Sequence, residues 1–184
     1  MNKCMWTLDG NIKCENIITN NKIKINNNIK YIKLLYNNLS DKYRNDIHNI
    51  YDLCFPNQNM NLLNDTIIIL ILYNNNVVGS VCYVDNDSLI KNNINTNGYS
   101  ITMHKGSFIY NLSVHPDFRK RGLGNLLLKK LKESTSKNGY KYLHTHVEEN
   151  NISLKLFKKN HFYQENQFIN NEKKNRVITL FSWL

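Results

Sequence analysis

The chain has 184 residues, 41% of them hydrophobic, and a formal net charge of +10 with a pI near 9.4. This length and apolar share allow a buried core without staples, so a miniprotein held by disulfides or metal is excluded. The longest apolar run, residues 67–73, falls far short of the roughly 20 residues of a membrane-crossing helix, and no block of five basic residues marks a nucleic-acid tail.

Asparagine is the outstanding bias, with 34 copies, while alanine is absent. The bias runs through helix, strand and loop patterns alike, so it reads as codon pressure from an AT-rich genome and not as a functional low-complexity tract. Lysine belongs to the same codon set and accounts for much of the charge, although a positive surface also suits an anionic ligand. The four cysteines, Cys4, Cys14, Cys54 and Cys82, form no C-x-x-C pair. They read as free thiols in a reducing compartment, with no metal site. Met1 is followed by no apolar signal region, so the expectation is a soluble cytoplasmic or nuclear protein that uses neither membrane nor nucleic acid.

Residues 1–28 are polar and turn-rich, with Asp9-Gly10 as a hairpin turn, and read as an N-terminal extension. Residues 29–36 predict a strand. Ser40 then caps a helix whose stripe is Ile47, Ile50, Tyr51 and Cys54, with Pro56 beyond its end. Residues 57–65 read as a loop or short helix. Residues 66–73 and 77–84 predict a hairpin about Asn74-Asn75-Asn76, and residues 85–97 a long polar connection. A strand follows over residues 105–114. A helix over 122–137 buries Leu123, Leu126, Leu127 and Leu131 and stops at Gly139. Residues 140–147 predict a strand, 152–159 a short helix, and 162–168 with 176–183 a terminal hairpin. Strands first, then β-α-β-α-β-β, predict one mixed-sheet α/β domain over residues 1–184.

The chemistry concentrates between Val114 and Asn125. Pro116 ends a strand, because proline cannot donate to its ladder, and a helix is under way eight residues later. Between them lie Arg119, Lys120, Arg121, Gly122, Leu123 and Gly124. Glycines let a ligand approach the backbone, and the first N–H groups of a helix are unsatisfied donors at its positive end. Two readings stand: a pyrophosphate-binding turn, with Arg119 and Lys120 or Arg121 adding charge, or a basic turn that merely caps the helix. The G-x-x-x-x-G-K-[ST] loop is absent, and the third glycine of the dinucleotide fingerprint is missing.

Arg119-x-x-Gly122-x-Gly124 matches the R/Q-x-x-G-x-G/A motif of the GNAT superfamily of N-acetyltransferases. Residues 111–119 resemble that family's lead-in strand, and residues 150–162 resemble its N-x-x-A-x-x-L-Y-x-x-x-G-F stretch. The resemblance implies a GNAT-like acyl-CoA N-acyltransferase fold whose fourth and fifth strands, here residues 105–114 and 140–147, splay to admit acetyl-CoA. It implies backbone pairing of Leu112, Ser113 and Val114 with the pantetheine arm, the Val114 N–H polarising the thioester carbonyl. The pyrophosphate falls to the N–H groups of a run that starts at Arg119 or Lys120 and continues through Arg121, Gly122, Leu123 and Gly124 to Asn125. Asn150 corresponds to the asparagine that contacts pantetheine, with Asn151 as a competitor, and Ser153 to a small residue. Phe157 stands on the cofactor side where the family often has a tyrosine that protonates the leaving thiolate, and it cannot do so. His161 replaces a usual glycine, so the local turn is expected to differ.

On the acceptor side a base must deprotonate an amine. If Leu143, Thr145 and Val147 face the helices, then His144 and His146 face the substrate, as in members that use a fifth-strand histidine. The other reading is a pair of surface histidines beside Lys141. Tyr110 shares strand parity with Phe108 and Leu112 and is either a proton relay and substrate contact or a wall aromatic. Residues 55–65 and 169–175 are the expected acceptor loops. The implied reaction is direct transfer from acetyl-CoA to a primary amine of a protein, peptide or small molecule, without metal, by a monomer or homodimer. Three alternatives remain in view: an acyl-CoA-binding GNAT-fold protein with little or no transferase activity, a basic nucleic-acid-binding module, and a covalent route through Cys82.

Overall fold

The computed structural model describes residues 3–6, 12–15, 29–56, 58, 60, 62–91, 105–170 and 174–184. Strands β1 (Lys3–Trp6) and β2 (Ile12–Glu15) form a separate antiparallel pair. The expected Asp9-Gly10 turn between them lies outside the described residues.

The main sheet has the order β3-β4-β5-β6-β7-β9-β8. Its strands are β3 (Ile29–Leu35), β4 (Ile67–Tyr73), β5 (Asn76–Asp85), β6 (Gly106–Val114), β7 (Tyr142–Glu148), β8 (Tyr163–Asn170) and β9 (Asn175–Trp183). Every neighbouring pair is antiparallel except β6 and β7. The β4–β5 hairpin turns on Asn74 (φ 50°) and Asn75 (φ 62°). Both take the left-handed region that a two-residue hairpin turn demands and asparagine tolerates.

Helices cover both faces. On one side α1 (Asp41–Cys54) starts at Ser40, whose hydroxyl accepts from the Tyr43 N–H, and buries Ile47 and Ile50 against Ile68, Leu70 and Cys82. On the other, α3 (Leu123–Lys137) and α4 (Ser153–Lys159) close over Ile69, Val81, Ile109, Leu143 and Ile178. Leu127, Leu128 and Leu131 are fully buried there, each worth about 1.5–3 kcal/mol of transfer free energy.

One predicted connection is corrected. Residues 85–97 include a helix, α2 (Asn86–Lys91), because Asp85 Oδ1 accepts from the Ser88 N–H at 2.8 Å and caps its first turn. The Ser88 hydroxyl also bonds Asp65, and Leu89 is buried. The strand expected from residue 140 starts at Tyr142. Gly139 (φ 75°) ends α3, and the Tyr140 N–H is still tied to Thr135.

Candidate active site

Strands β6 and β7 pair over four rungs, from Gly106↔Tyr142 to Ile109↔Thr145, and then separate. Beyond the last rung β6 continues to Val114 and β7 to Glu148. The cause is local. The β5–β6 register passes from Tyr83↔Ile109 to Cys82↔Asn111, which leaves Tyr110 as an extra residue. Such a bulge bends its strand and interrupts the ladder.

The bulge also overturns the expected strand parity. Phe108 and Tyr110 turn to the α1 face, where their rings stack at 6.2 Å, while Leu112 and Val114 pack on the α3 face. The three residues expected to lie along the cofactor arm therefore divide. The His115 N–H bonds the Val78 carbonyl at 3.0 Å, so by strand alternation the Val114 and Leu112 backbone groups point into the split. Ser113 is corrected on this point: its main chain belongs to the β5 ladder, and its hydroxyl bonds Ser80 at 2.8 Å.

At the end of β6 a 3₁₀ turn over Pro116–Phe118 leads to Lys120 (φ 59°) and Gly122 (φ 82°). The first intrahelical bond of α3 runs from the Leu126 N–H to the Gly122 carbonyl at 3.0 Å. The N–H groups of Leu123, Gly124 and Asn125 thus emerge from the helix unpaired by it, and no acidic side chain occupies that first turn. A methyl at Gly122 would meet nothing within 4 Å, so the space above the turn is open. Backbone donors, a helix dipole and open space suit an anion such as a pyrophosphate.

The side chains around this turn do structural work that spacing alone did not reveal. Arg119, expected to lend charge to a phosphate, points its Nε at the Val114 carbonyl (3.0 Å) and its Nη2 at Cys54 Sγ (3.2 Å), tying the turn to α1. Arg121 donates to the Asp117 carbonyl at 2.7 Å. Lys120 is exposed. A methyl at Gly124 would lie 2.9 Å from Leu156 Cδ2, so that glycine serves the packing of α4. Asn125 Oδ1 accepts from Asn160 Nδ2 at 2.8 Å, a second α3–α4 tie.

At α4, Asn151 Oδ1 accepts from the Ser153 N–H at 2.9 Å, which spends Asn151 on capping and leaves exposed Asn150 as the other amide at this corner. Half-buried Ser153 begins the helix. Phe157 is corrected from a cofactor-side residue to a core one: it is 3% exposed and packs edge-on against Phe162 at 5.1 Å. His161 adopts φ 61°, so the turn keeps the left-handed geometry of a glycine there.

The α1 face of the split collects the acceptor-side candidates. Leu143 and Val147 enter the α3 core, so His144 and His146 face α1, beside Phe108 at 5.0 and 5.3 Å between ring centroids. His144 is 0% exposed, its Nε2 lies 3.0 Å from Asn86 Oδ1, and burial followed by the neighbouring His146 lowers its pKa to about 3. His146 lies one residue past the last paired rung, between Phe108 and Phe168. Its Nε2 is buried with no hydrogen-bond partner among the described residues, and burial lowers its pKa. Both imidazoles are therefore neutral at pH 7. The Tyr110 hydroxyl bonds Thr66, and burial raises its pKa, so it stays protonated. Cys82 is fully buried with its pKa pushed up to about 12, which removes it as a thiolate nucleophile.

Asn86 and Cys54 were not anticipated. Each reaches its partner across the fold, 58 residues to His144 and 65 to Arg119, and no local pattern announces either contact. Among the described residues, no group of three His, Cys, Asp or Glu side chains is placed to hold a metal, and no helix is long and apolar enough to cross a membrane.

Residues 32–162 match the model of the Acetyltransferase (GNAT) family. No curated protein matches the chain by sequence. The fold is similar to that of a GNAT family acetyltransferase from Elizabethkingia anophelis solved with acetyl-CoA bound, at 18% identity and TM-score 0.64, covering 85% of this chain and 99% of the other. It is also similar to Arabidopsis thaliana NAA60 in complex with acetyl-CoA, at 17% identity and TM-score 0.63, covering 85% and 98%. An aminoglycoside 6'-N-acetyltransferase complexed with coenzyme A is likewise similar, at 11% identity and TM-score 0.64, covering 83% and 96%.

Proposed function

The chain belongs to the GNAT family of acetyltransferases, and on that premise we propose that it transfers the acetyl group of acetyl-CoA directly to a primary amine. The observation that carries this reading is the split between β6 and β7, which has a phosphate-type turn at one end and a neutral imidazole with an unengaged nitrogen beside it. When bound, acetyl-CoA supplies an activated acetyl thioester. The N–H groups of Leu123, Gly124 and Asn125 would hold its pyrophosphate, the backbone of Leu112 and Val114 would align its arm, and the Val114 N–H would stabilise negative charge on the carbonyl oxygen. Asn150 is the side chain assigned to the arm at α4.

A protonated amine has no lone pair with which to attack, so a base is needed. His146 takes the proton on Nε2. His144 is too weak a base at about 3 for that task and acts as a hydrogen-bond acceptor that orients the amine or its water. Tyr110 contributes a protonated hydroxyl to the wall. Phe157 cannot protonate the leaving sulfur, but a free thiol ionises near about pH 8.5, so departure as thiolate costs little. The free thiols of Cys54 and Cys82 accord with a reducing, cytoplasmic setting.

The acceptor class is tested by mass spectrometry of products from a panel of N-terminal peptides, lysine peptides, amino sugars and polyamines incubated with acetyl-CoA and the full chain. Acetylation of at least one amine supports the proposal. Acetyl-CoA binding with every amine left unmodified would restrict the protein to acyl-CoA binding.

A further inference from the structure

We propose that Asn86 is a positioning residue that holds His144 in a single tautomer, with the proton on Nε2 and the lone pair on Nδ1. Asn86 opens α2, is 3% exposed, and reaches the α1 side of the split from outside β6 and β7. Its Nδ2 donates to the Tyr142 hydroxyl at 2.6 Å, which leaves Oδ1 as the atom facing His144 Nε2 at 3.0 Å. A carbonyl oxygen only accepts, so Nε2 must carry the hydrogen. A neutral imidazole has one N–H, and Nδ1 is therefore the acceptor.

Phe108 and Tyr142 pack on the His144 ring, at 5.0 and 5.8 Å between centroids. Opposite, Gly106 has no side chain, and a methyl there would overlap the Tyr142 ring and crowd Asn86 Nδ2 at 2.7 Å. Residue 106 must be glycine for the Asn86–Tyr142 pair to sit where it does. The pair is fixed in turn by α2, which Asp85 caps and Asp65 holds through Ser88. The opposite tautomer would present an N–H where an amine or a water must donate, turning an attraction into a repulsion.

This inference rests on the reading of His144 as the acceptor that orients the nucleophile, but its first test does not require turnover. Long-range ¹⁵N–¹H correlation on the uniformly labelled full chain, between about pH 6 and 8, reads the tautomer of each histidine directly. The expected result is one His144 species, with Nε2 protonated and Nδ1 unprotonated. A protonated Nδ1, or comparable amounts of both tautomers, would overturn it. Tyr142→Phe removes the acceptor of the Asn86 N–H and frees the amide to rotate. It should convert His144 to a mixture and lower kcat several-fold, without changing the acetyl-CoA concentration for half-saturation. Asn86→Asp retains an acceptor and should keep the single tautomer, whereas Asn86→Leu should lose it. A tautomer that stays pure in both Tyr142→Phe and Asn86→Leu would refute the role of Asn86. If no amine is acetylated, the spectra still decide the tautomer, so the two failures are distinguishable.

Discussion

The two sides of the β6–β7 split are built by different means. On the α3 side the work is assigned to main chain: the N–H groups of Leu123 to Asn125 and the backbone of Leu112 and Val114, shaped by Gly122 and by the strand end at Pro116. On the α1 side it is assigned to side chains delivered from separate elements, with His144 and His146 on β7, Phe108 and Tyr110 on β6, and Asn86 on α2. A backbone site needs a local run of residues with the right φ values. A side-chain site needs a topology that brings distant residues together, and it can be altered one residue at a time.

The largest break in this comparison should come from Gly122→Glu. The new carboxylate enters open space, so nothing clashes, but it faces the helix N-terminus and forces a side chain onto φ 82°. Isothermal titration should show acetyl-CoA affinity lowered by more than about a hundred-fold, with the far-ultraviolet spectrum unchanged. Gly124→Glu is a poorer probe, because it also strikes Leu156 and would confound packing with binding. The next effect is on the α1 side and is read by pH. His144 falls from an ordinary 6.5 to about 3 in the folded chain. Between those values the unfolded chain binds the extra proton, so this contribution is fully present above about pH 6.5 and is lost as the pH falls toward 3. The Tm should therefore drop on acidification below pH 6.5, and His144→Phe should flatten that part of the profile.

Features whose determinants are local were legible in the sequence. Ser40 caps α1, Asn74-Asn75 turns the β4–β5 hairpin, and Gly122-x-Gly124 opens α3, each within a few residues of its effect. The α1 side was only half legible. The alternation of His144 and His146 with Leu143 and Val147 gave their common face, but Phe108 to Val114 read as an unbroken strand. The extra residue at Tyr110 shows only when β5 is laid beside β6. Arg119 looked like a phosphate ligand because its neighbours in sequence are basic, whereas its partners, Val114 O and Cys54 Sγ, are set by the fold. Phe157 occupies a motif position, yet helix α4 turns it into the core.

Two smaller effects sharpen the contrast within the α3 side. His161 holds a left-handed conformation that glycine adopts without strain. His161→Gly should raise stability by about 0.5–1 kcal/mol, or roughly 1–4 °C in Tm, with turnover unchanged. Lys120→Glu adds no strain at a position already at φ 59° and reverses one exposed charge beside the turn. Acetyl-CoA half-saturation should rise about three-fold at low salt and return toward normal as salt screens it.

The division of labour itself is tested most directly by His146→Ala, read as the acetyl-transfer rate at saturating acetyl-CoA with an acceptor amine held near neutral pH. The imidazole is removed from the α1 side of the split, and nothing is removed from the phosphate turn. The rate should fall by about a hundred-fold and be partly restored at alkaline pH, where more of the amine is already neutral, while the acetyl-CoA requirement stays unchanged. A rate at the wild-type level, or an acetyl-CoA requirement that rises with the loss, would contradict it.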